Sequence, residues 1–334
     1  MVAMESTASY WKLLYNILES YGLIAMVVNA RHMKAVPGRK TDVKDSEWIA
    51  DLAQHGLLQP SYIPDRDQRE LRELISYRKS LVQDRTRELN RLQKMLEGAN
   101  IKLSGTISNI NGKSARNIID TILSGIVIDN SKYDEMYDNK VISNNLKASK
   151  EQIIDDLNGF MSPLQRKMMK ELLKHVDELN AHIEHLNDDI DNHMKPDEKQ
   201  AVDAIKDVTG LGTTSAQAII SVIGTNMERF PTDAHLSSWA GLCPGDNESA
   251  KKRRGGKTRK GNNLLRTTLI VCAHSAAKVK NFAIYHILKD GVAFQDLGAD
   301  YYSQFNRERK INAYLKKLKA LGWEMPVAME AHPA

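Results

Sequence analysis

The sequence predicts a protein that is mainly α with an α/β portion near its N-terminus. Three observations carry that expectation. Apolar residues recur at three- and four-residue intervals over most of the chain, the period of one helix face. Two continuous apolar runs, Val2 to Met4 and Leu23 to Val28, have instead the character of buried strands. Between Leu172 and Ile190 the apolar spacing settles into a heptad seam.

From the N-terminus, the first run stops at Glu5 and a helix over residues 8–20 carries Trp11, Leu14, Ile17 and Leu18 at helical spacing. Gly22 ends that helix, a strand follows to Val28, Pro37 and Gly38 mark a loop, and a second helix begins near Asp42. Strand, helix, strand and helix, with an acid at the tip of the first strand, suggest part of a parallel sheet. From Asp67 to Glu97 one long helix places Leu71, Leu74, Ile75, Leu81, Val82, Leu89, Leu92 and Leu96 on one side. Its other face is densely charged, with Arg69, Glu70, Arg85, Arg87 and Glu88. Short helical pieces separated by glycine and asparagine fill 98–150, and the seam of Leu172, Val176, Leu179, Ile183, Leu186 and Ile190 follows, closed by Pro196.

A chain of 334 residues exceeds one typical domain, so two domains and a connector are expected. Apolar residues at 42% and charged residues at 27% are ordinary for a globular protein. Two cysteines, Cys243 and Cys272, are too few and too far apart for a disulfide framework or a zinc site, and fit a reducing cytoplasm. The start MVAMESTASYW lacks the pattern of a signal peptide, and no apolar run reaches the length of a bilayer span, so a soluble intracellular protein with no membrane partner is expected.

Three groups of residues have chemical potential. Glu5 at a strand tip can meet Asp42 and Asp45, one helical turn apart on a neighbouring helix. Oxygen ligands of this kind suit magnesium and phosphodiester chemistry. On spacing alone, the acidic start of a helix is the favoured reading of Asp42 and Asp45. In IKDVTGLGTTSAQAIISVI, two short apolar helices flank a turn containing Gly210 and Gly212, as in a helix-hairpin-helix that grips a phosphate with backbone N–H groups; a plain helix turn with helix-ending glycines is the alternative. The third group is GLCPGDNESAKKRRGGKTRKGNNLLR. Lys251, Lys252, Arg253, Arg254, Lys257, Arg259 and Lys260 crowd around Gly255 and Gly256, and no acid occurs between Ala250 and Arg266. Solvated surfaces mix both signs, so this run is expected to follow a phosphate backbone. Ser249 stands at its mouth beside Glu248; composition alone does not single it out, because most loop serines are turn formers.

The segments MESTASYW, GRKTDVKDSEWIADL, VTGLGTTSAQAIISVIG, HLSSWAGLCPGDNESAKKRRGGKTRKGN and LKDGVAFQDLGADYYSQF, in this order, resemble the DEDD transposases of bacterial and archaeal insertion-sequence family 110, the bridge-RNA-guided serine recombinases. The resemblance spans almost the whole chain. It implies a RuvC-like (RNase H-like) domain over 1–100 ending in the long helix, a helical connector over 101–150, a coiled coil over 151–195, and a helical transposase domain with a helix-hairpin-helix-like motif over 196–334. By the same resemblance Glu5, Asp42 and Asp45 correspond to magnesium-binding acids, and Ser249 to a nucleophile that forms a covalent phosphoserine link with DNA. Lys257, Arg259 and Lys260 fall in the basic segment that follows. The implied partners are donor and target DNA, a noncoding bridge RNA that selects both, and further copies of the chain in a dimer or tetramer. The implied setting is the nucleoid of a prokaryotic cytoplasm.

Two departures from the family accompany it. The family's first aspartate lies on a strand well before the glutamate, whereas this sequence starts four residues before Glu5. After CAHSAAKVKN the chain passes directly to FAIYHILKDG, where relatives carry a further basic helical segment. The expectation is a transposase with three of the four acids, impaired by those losses, with apolar surface exposed where a lost strand and a lost helix would pack. A non-catalytic nucleic-acid-binding remnant that oligomerises through its coiled coil is the competing expectation, and a nuclease using the acids alone is a weaker third.

Overall fold

A computed structural model of the chain describes residues 1–6, 9–29, 45–143, 146, 148–208, 210–243, 248–249, 252–253, 258, 261–276, 287–291, 311 and 315. It is mainly helical and divides into two compact units, Met1–Arg69 and Glu70–Ala334. Among the described residues no helix is long and apolar enough to cross a membrane.

The smaller unit is a strand–helix–strand unit. Strand β1 (Val2–Glu5) pairs in parallel with β2 (Ala25–Val28), in the register Val2↔Ala25 to Glu5↔Val28. Helix α1 (Tyr10–Ser20) makes the crossover that parallel strands require. Helix α2 (Asp45–Gln54) packs on β1 around a small core of Val28, Leu52 and Leu58, with Ala3, Met26, Trp48 and Ile49 against it. The sheet, helix order and first helix therefore match the sequence reading, but α2 begins at Asp45, and Asp42 lies outside the described residues. No residue of α1 is buried: Trp11 and Leu18 are half-buried, while Leu14 and Ile17 are exposed and Leu13 is 70% exposed. Arg69 closes the unit, donating to Glu19 (2.5 Å) and Asn16 (3.1 Å) of α1 with its guanidinium over the Tyr15 ring.

The larger unit is organised by two long helices, α3 (Arg66–Gly98) and, after the connector, α8 (Pro163–His193). Arg78 reaches Asn187 (2.9 Å), Arg85 reaches Asn180 (3.0 Å), and Glu88 meets His175 (3.6 Å). Numbers rise along α3 as they fall along α8, so the two form an antiparallel pair. The first two contacts are the same Arg–Asn pair repeated one heptad on, as expected where two helices follow each other with a seven-residue repeat. Leu179, Ile183 and Leu186 pack with Leu81, Leu74 and Val82.

Three sequence expectations change here. The buried seam runs through Met169, Leu173, Val176, Leu179, Ile183, Leu186 and Ile190, so Leu173 and not Leu172 is its member. The coiled coil does not begin at 151, because α7 (Lys150–Asp156) stops and α8 starts afresh at Pro163, with Ser162 and Gln165 forming a capping box. The seam is covered by α3 of the same chain. Glu88, assigned to a charged outer face, is only 6% exposed, because that face of α3 meets α8.

Between the long helices, α4 (Leu103–Thr106), α5 (Lys113–Leu123), α6 (Asn130–Asp138) and α7 build a cap with its own core, including Ile101, Ile118, Ile119, Tyr133, Ile142 and Ile153. Its neck is tied where Phe160 N–H donates to the Ala99 carbonyl (3.0 Å) and Lys102 N–H to that of Asp156 (2.8 Å). At the opposite end of the pair lie α9 (Pro196–Lys206), α10 (Thr213–Ile223), α11 (Asp233–Trp239) and α12 (Asn263–Ala276). They share one core with Leu71, Ile75, Ile190 and Met194 of the long helices.

Arg78 binds three of these elements. It is 3% exposed and donates to Asn187 and to Gln217 of α10 (2.7 Å), and Gln217 donates on to Asp191 (2.8 Å). Removing one member of such a buried polar network strands the others. Arg78→Ala is expected to destabilise the larger unit by about 2–4 kcal/mol, read from the urea midpoint. Lys174→Ala, which breaks only an exposed 3.9 Å pair with Glu178, should leave that midpoint in place.

Candidate functional site

Glu5 stands at the C-terminal edge of the sheet, the edge at which open parallel sheets bind ligands. Glu5 is the last residue of β1, opposite Val28, and is half-buried; the chain leaves β2 from the same edge. Asp45 is the first residue of α2, which packs on β1. The structure thus brings into contact the two elements that carry Glu5 and Asp45. Among the described residues no three His, Cys, Asp or Glu side chains gather as a metal site. The chemistry of the acids, all oxygen donors, suits a hard cation.

Gly210 and Gly212 stand between α9 and α10. Gly210 has φ +82°, a conformation that a side chain resists, and Gly212 is the N-cap of α10 with open space around it. No side chain caps α10, and Thr213 and Thr214 are exposed beside its first N–H groups. The other end of α10 is deeply embedded: every residue from Ala216 to Ile223 is buried. Arg72 of α3 donates to the Ser221 and Val222 carbonyls (3.4 and 3.3 Å), placing positive charge at the negative end of the helix dipole. The open end of α10 is therefore held firmly from behind.

The basic segment begins at the end of α11 and returns at the start of α12. Within it, strand β3 (Glu248–Ser249) pairs antiparallel with β4 (Lys252–Arg253), in the register Glu248↔Arg253 and Ser249↔Lys252. Ser249 is thus the last residue of β3, at a position opposite a cation. Lys251, Arg254, Lys257, Arg259 and Lys260 lie outside the described residues, as does the junction after CAHSAAKVKN. Cys243 is half-buried and Cys272 buried, both as free thiols.

Sequence reasoning missed the residues that hold this segment. Lys79 of α3 donates to Thr267 of α12 (2.8 Å), and Arg266 of α12 donates to Thr258 (2.7 Å). A usable signal existed, since Arg72 and Lys79, like Arg78 and Arg85, stand one heptad apart on α3. The hairpin geometry separates two glycines by measurement. Gly210→Ala should cost about 1–2 kcal/mol of stability, because a Cβ is strained at positive φ. Gly212→Ala, at φ −116° with room for a methyl, should cost less than about 1 kcal/mol; denaturant unfolding of the two variants checks the order.

Two family models match the chain. Residues 1–101 match the DEDD transposase model of IS110, described as Transposase, and residues 202–286 match the model described as Transposase IS116/IS110/IS902 family. The first covers the strand–helix–strand unit and α3, and the second covers the end of α9, α10, the Ser249 segment and α12. No curated protein matches the chain. Transposases act on DNA, and the match of two separate segments of the chain, in order, makes this protein a member of the IS110 family of transposases.

Proposed function

We propose that this transposase cuts and rejoins DNA through Ser249, with RNA-guided choice of donor and target. The observation that supports this reading most is the setting of Ser249. It lies on a short hairpin opposite Lys252, at the head of a run from Ala250 to Lys260 that holds seven cations and no acid. A serine hydroxyl attacks a phosphodiester only where charge developing on phosphate is stabilised. Lys251, Lys252, Arg253, Arg254, Lys257, Arg259 and Lys260 supply that charge and hold the backbone. As the Oγ–P bond forms, the hydroxyl proton passes to a base and one P–O bond of the strand breaks. The leaving oxygen takes up a proton, and the reverse sequence on a second strand rejoins the ends.

Glu5, Asp42 and Asp45 would hold Mg2+ at the edge of a RuvC-like fold, where the ion, when bound, neutralises phosphate and orients it. Gly210 and Gly212 open a helix-hairpin-helix-like grip, in which the first N–H groups of α10 receive a phosphate without reading sequence. Bridge RNA pairing then supplies the specificity that such contacts lack. Bringing donor and target together calls for more than one copy of the chain. Because α3 covers the seam of α8, the copies meet through another surface.

The experiment is covalent trapping of the protein with its flanking noncoding RNA, labelled donor and target DNA, and Mg2+. An adduct that survives denaturation and is absent from Ser249→Ala is expected. Salt-sensitive binding with no adduct would support instead a non-catalytic nucleic-acid-binding protein. An adduct or cleavage that persists in Ser249→Ala but disappears in Asp45→Asn would show that the acids do the cutting. In an equilibrium binding titration at several salt concentrations, Lys257→Ala with Arg259→Ala should lower the slope of log K against log salt by about 2, since each phosphate that a side chain neutralises adds about 0.9 to it.

A further inference from the structure

The segment that carries Ser249 leaves and rejoins the helical core at one point, and a glycine closes that point. Helix α11 is C-capped by Ala240, which is fully buried, and Gly241 turns the chain at φ +76°. Gly241 N–H donates to the Ser238 carbonyl and Leu242 N–H to the Ser237 carbonyl, both at 3.0 Å. These are the two bonds of a Schellman cap, and they fix the direction in which the segment departs. On the return side, Asn262 caps α12: its Oδ1 accepts from Leu265 N–H (3.1 Å) and its carbonyl from Arg266 N–H (2.9 Å). Leu265 is fully buried in the core that Ala240 also joins.

Between these two fixed ends sits Gly261. A Cβ at this position would lie 2.4 Å from the carbonyl carbon of Ala240, 2.5 Å from its oxygen and 2.5 Å from the nitrogen of Gly241. All three atoms are backbone, so no side chain can swing aside to make room. The departing and returning strands of the segment touch backbone to backbone, at the place where the Schellman cap is made.

We propose that Gly261 is a positioning residue for Ser249: having no side chain, it closes the neck of the segment and fixes where the β3–β4 hairpin is presented. This rests on the reading of Ser249 as the nucleophile. The consequence is specific. A methyl at Gly261 must push on Ala240 and Gly241, open the neck and displace the hairpin, while the cations that hold DNA remain in the segment. Binding is then kept and the chemical step is impaired. A displacement of about 1 Å can cost on the order of 100-fold in rate.

The test compares wild type with Gly261→Ala and with the control Gly98→Ala, where a Cβ meets no atom within 4 Å. Three quantities are read on the full chain with RNA, DNA and Mg2+: the single-turnover rate of adduct formation, half-saturation by DNA, and amide hydrogen exchange. The expected result for Gly261→Ala is an adduct rate at least about tenfold lower with half-saturation within about twofold, a split that general destabilisation would not give. Exchange should rise at Gly241, Leu242 and the β3–β4 hairpin while α3 and α8 stay protected. Gly98→Ala should match wild type in all three. Wild-type rate and exchange in Gly261→Ala would overturn the proposal and leave the Ser249 reading intact. No adduct from wild type would overturn the Ser249 reading, and the positioning role with it. Should Gly261→Ala fold poorly, Thr258→Val, which removes only the hydrogen bond from Arg266, should move rate and exchange in the same direction by less, and no change in either would overturn the proposal.

Discussion

A guanidinium ion lies where α3, α8 and α10 meet, and the larger unit is arranged around satisfying it. Burial lowers the pKa of Arg78, with the charge of Asp191 opposing that shift, and its Nη2 finds no acceptor among the described residues. A buried cation of this kind adds little net stability against a well-packed apolar alternative, but it is costly to misplace. Only one register of α3 against α8 sets Asn187 beside Arg78 and Asn180 beside Arg85, and only one placement of α10 brings Gln217 between Arg78 and Asp191. The apolar seam supplies the attraction, and the polar contacts supply the alignment.

That alignment reaches the proposed DNA-facing parts through side chains of α3. Arg72 holds the buried end of α10, whose free end carries the glycine turn, and Lys79 holds α12, which receives the returning Ser249 segment. One helix therefore sets the positions of both proposed phosphate contacts. The family matches fall on the two sides of this arrangement: the first takes in α3, and the second takes in the elements that α3 holds.

Much of the fold was legible in the sequence because periodicity reports burial. The two strands, the first helix and both long helices follow from it. Periodicity does not report the partner, so a heptad seam reads alike whether a second chain or a distant segment of the same chain fills it. Adjacent apolar residues such as Leu172 and Leu173 also leave the seam ambiguous by one position, which packing against α3 resolves in favour of Leu173. Charge was misread for a related reason: arginines on α3 look solvated until α8 and α10 cover them. At the site, the cations were conspicuous by the absence of nearby acids, whereas Ser249 emerged only from resemblance to a family. Gly261 could not be found at all, since a close backbone approach leaves no trace in composition.

The order in which the chain can assemble follows from the tie between Ala99 and Phe160. The cap joins stretches of chain closer in sequence than those that Arg78 joins, and closing it would bring the ends of α3 and α8 together. The pair can then zip from that end, each step adding little loop-closure entropy. Without the cap, joining Arg78 to Asn187 closes a separation of 109 residues, and joining it to Gln217 one of 139. Non-local contacts of that span are slow to form when nothing shortens them. The cap thus acts as a clasp for the fold, so that a lesion in it, far from any proposed phosphate contact, would delay or scramble the docking of α10 and α12 and lower the yield of competent transposase before any DNA is met.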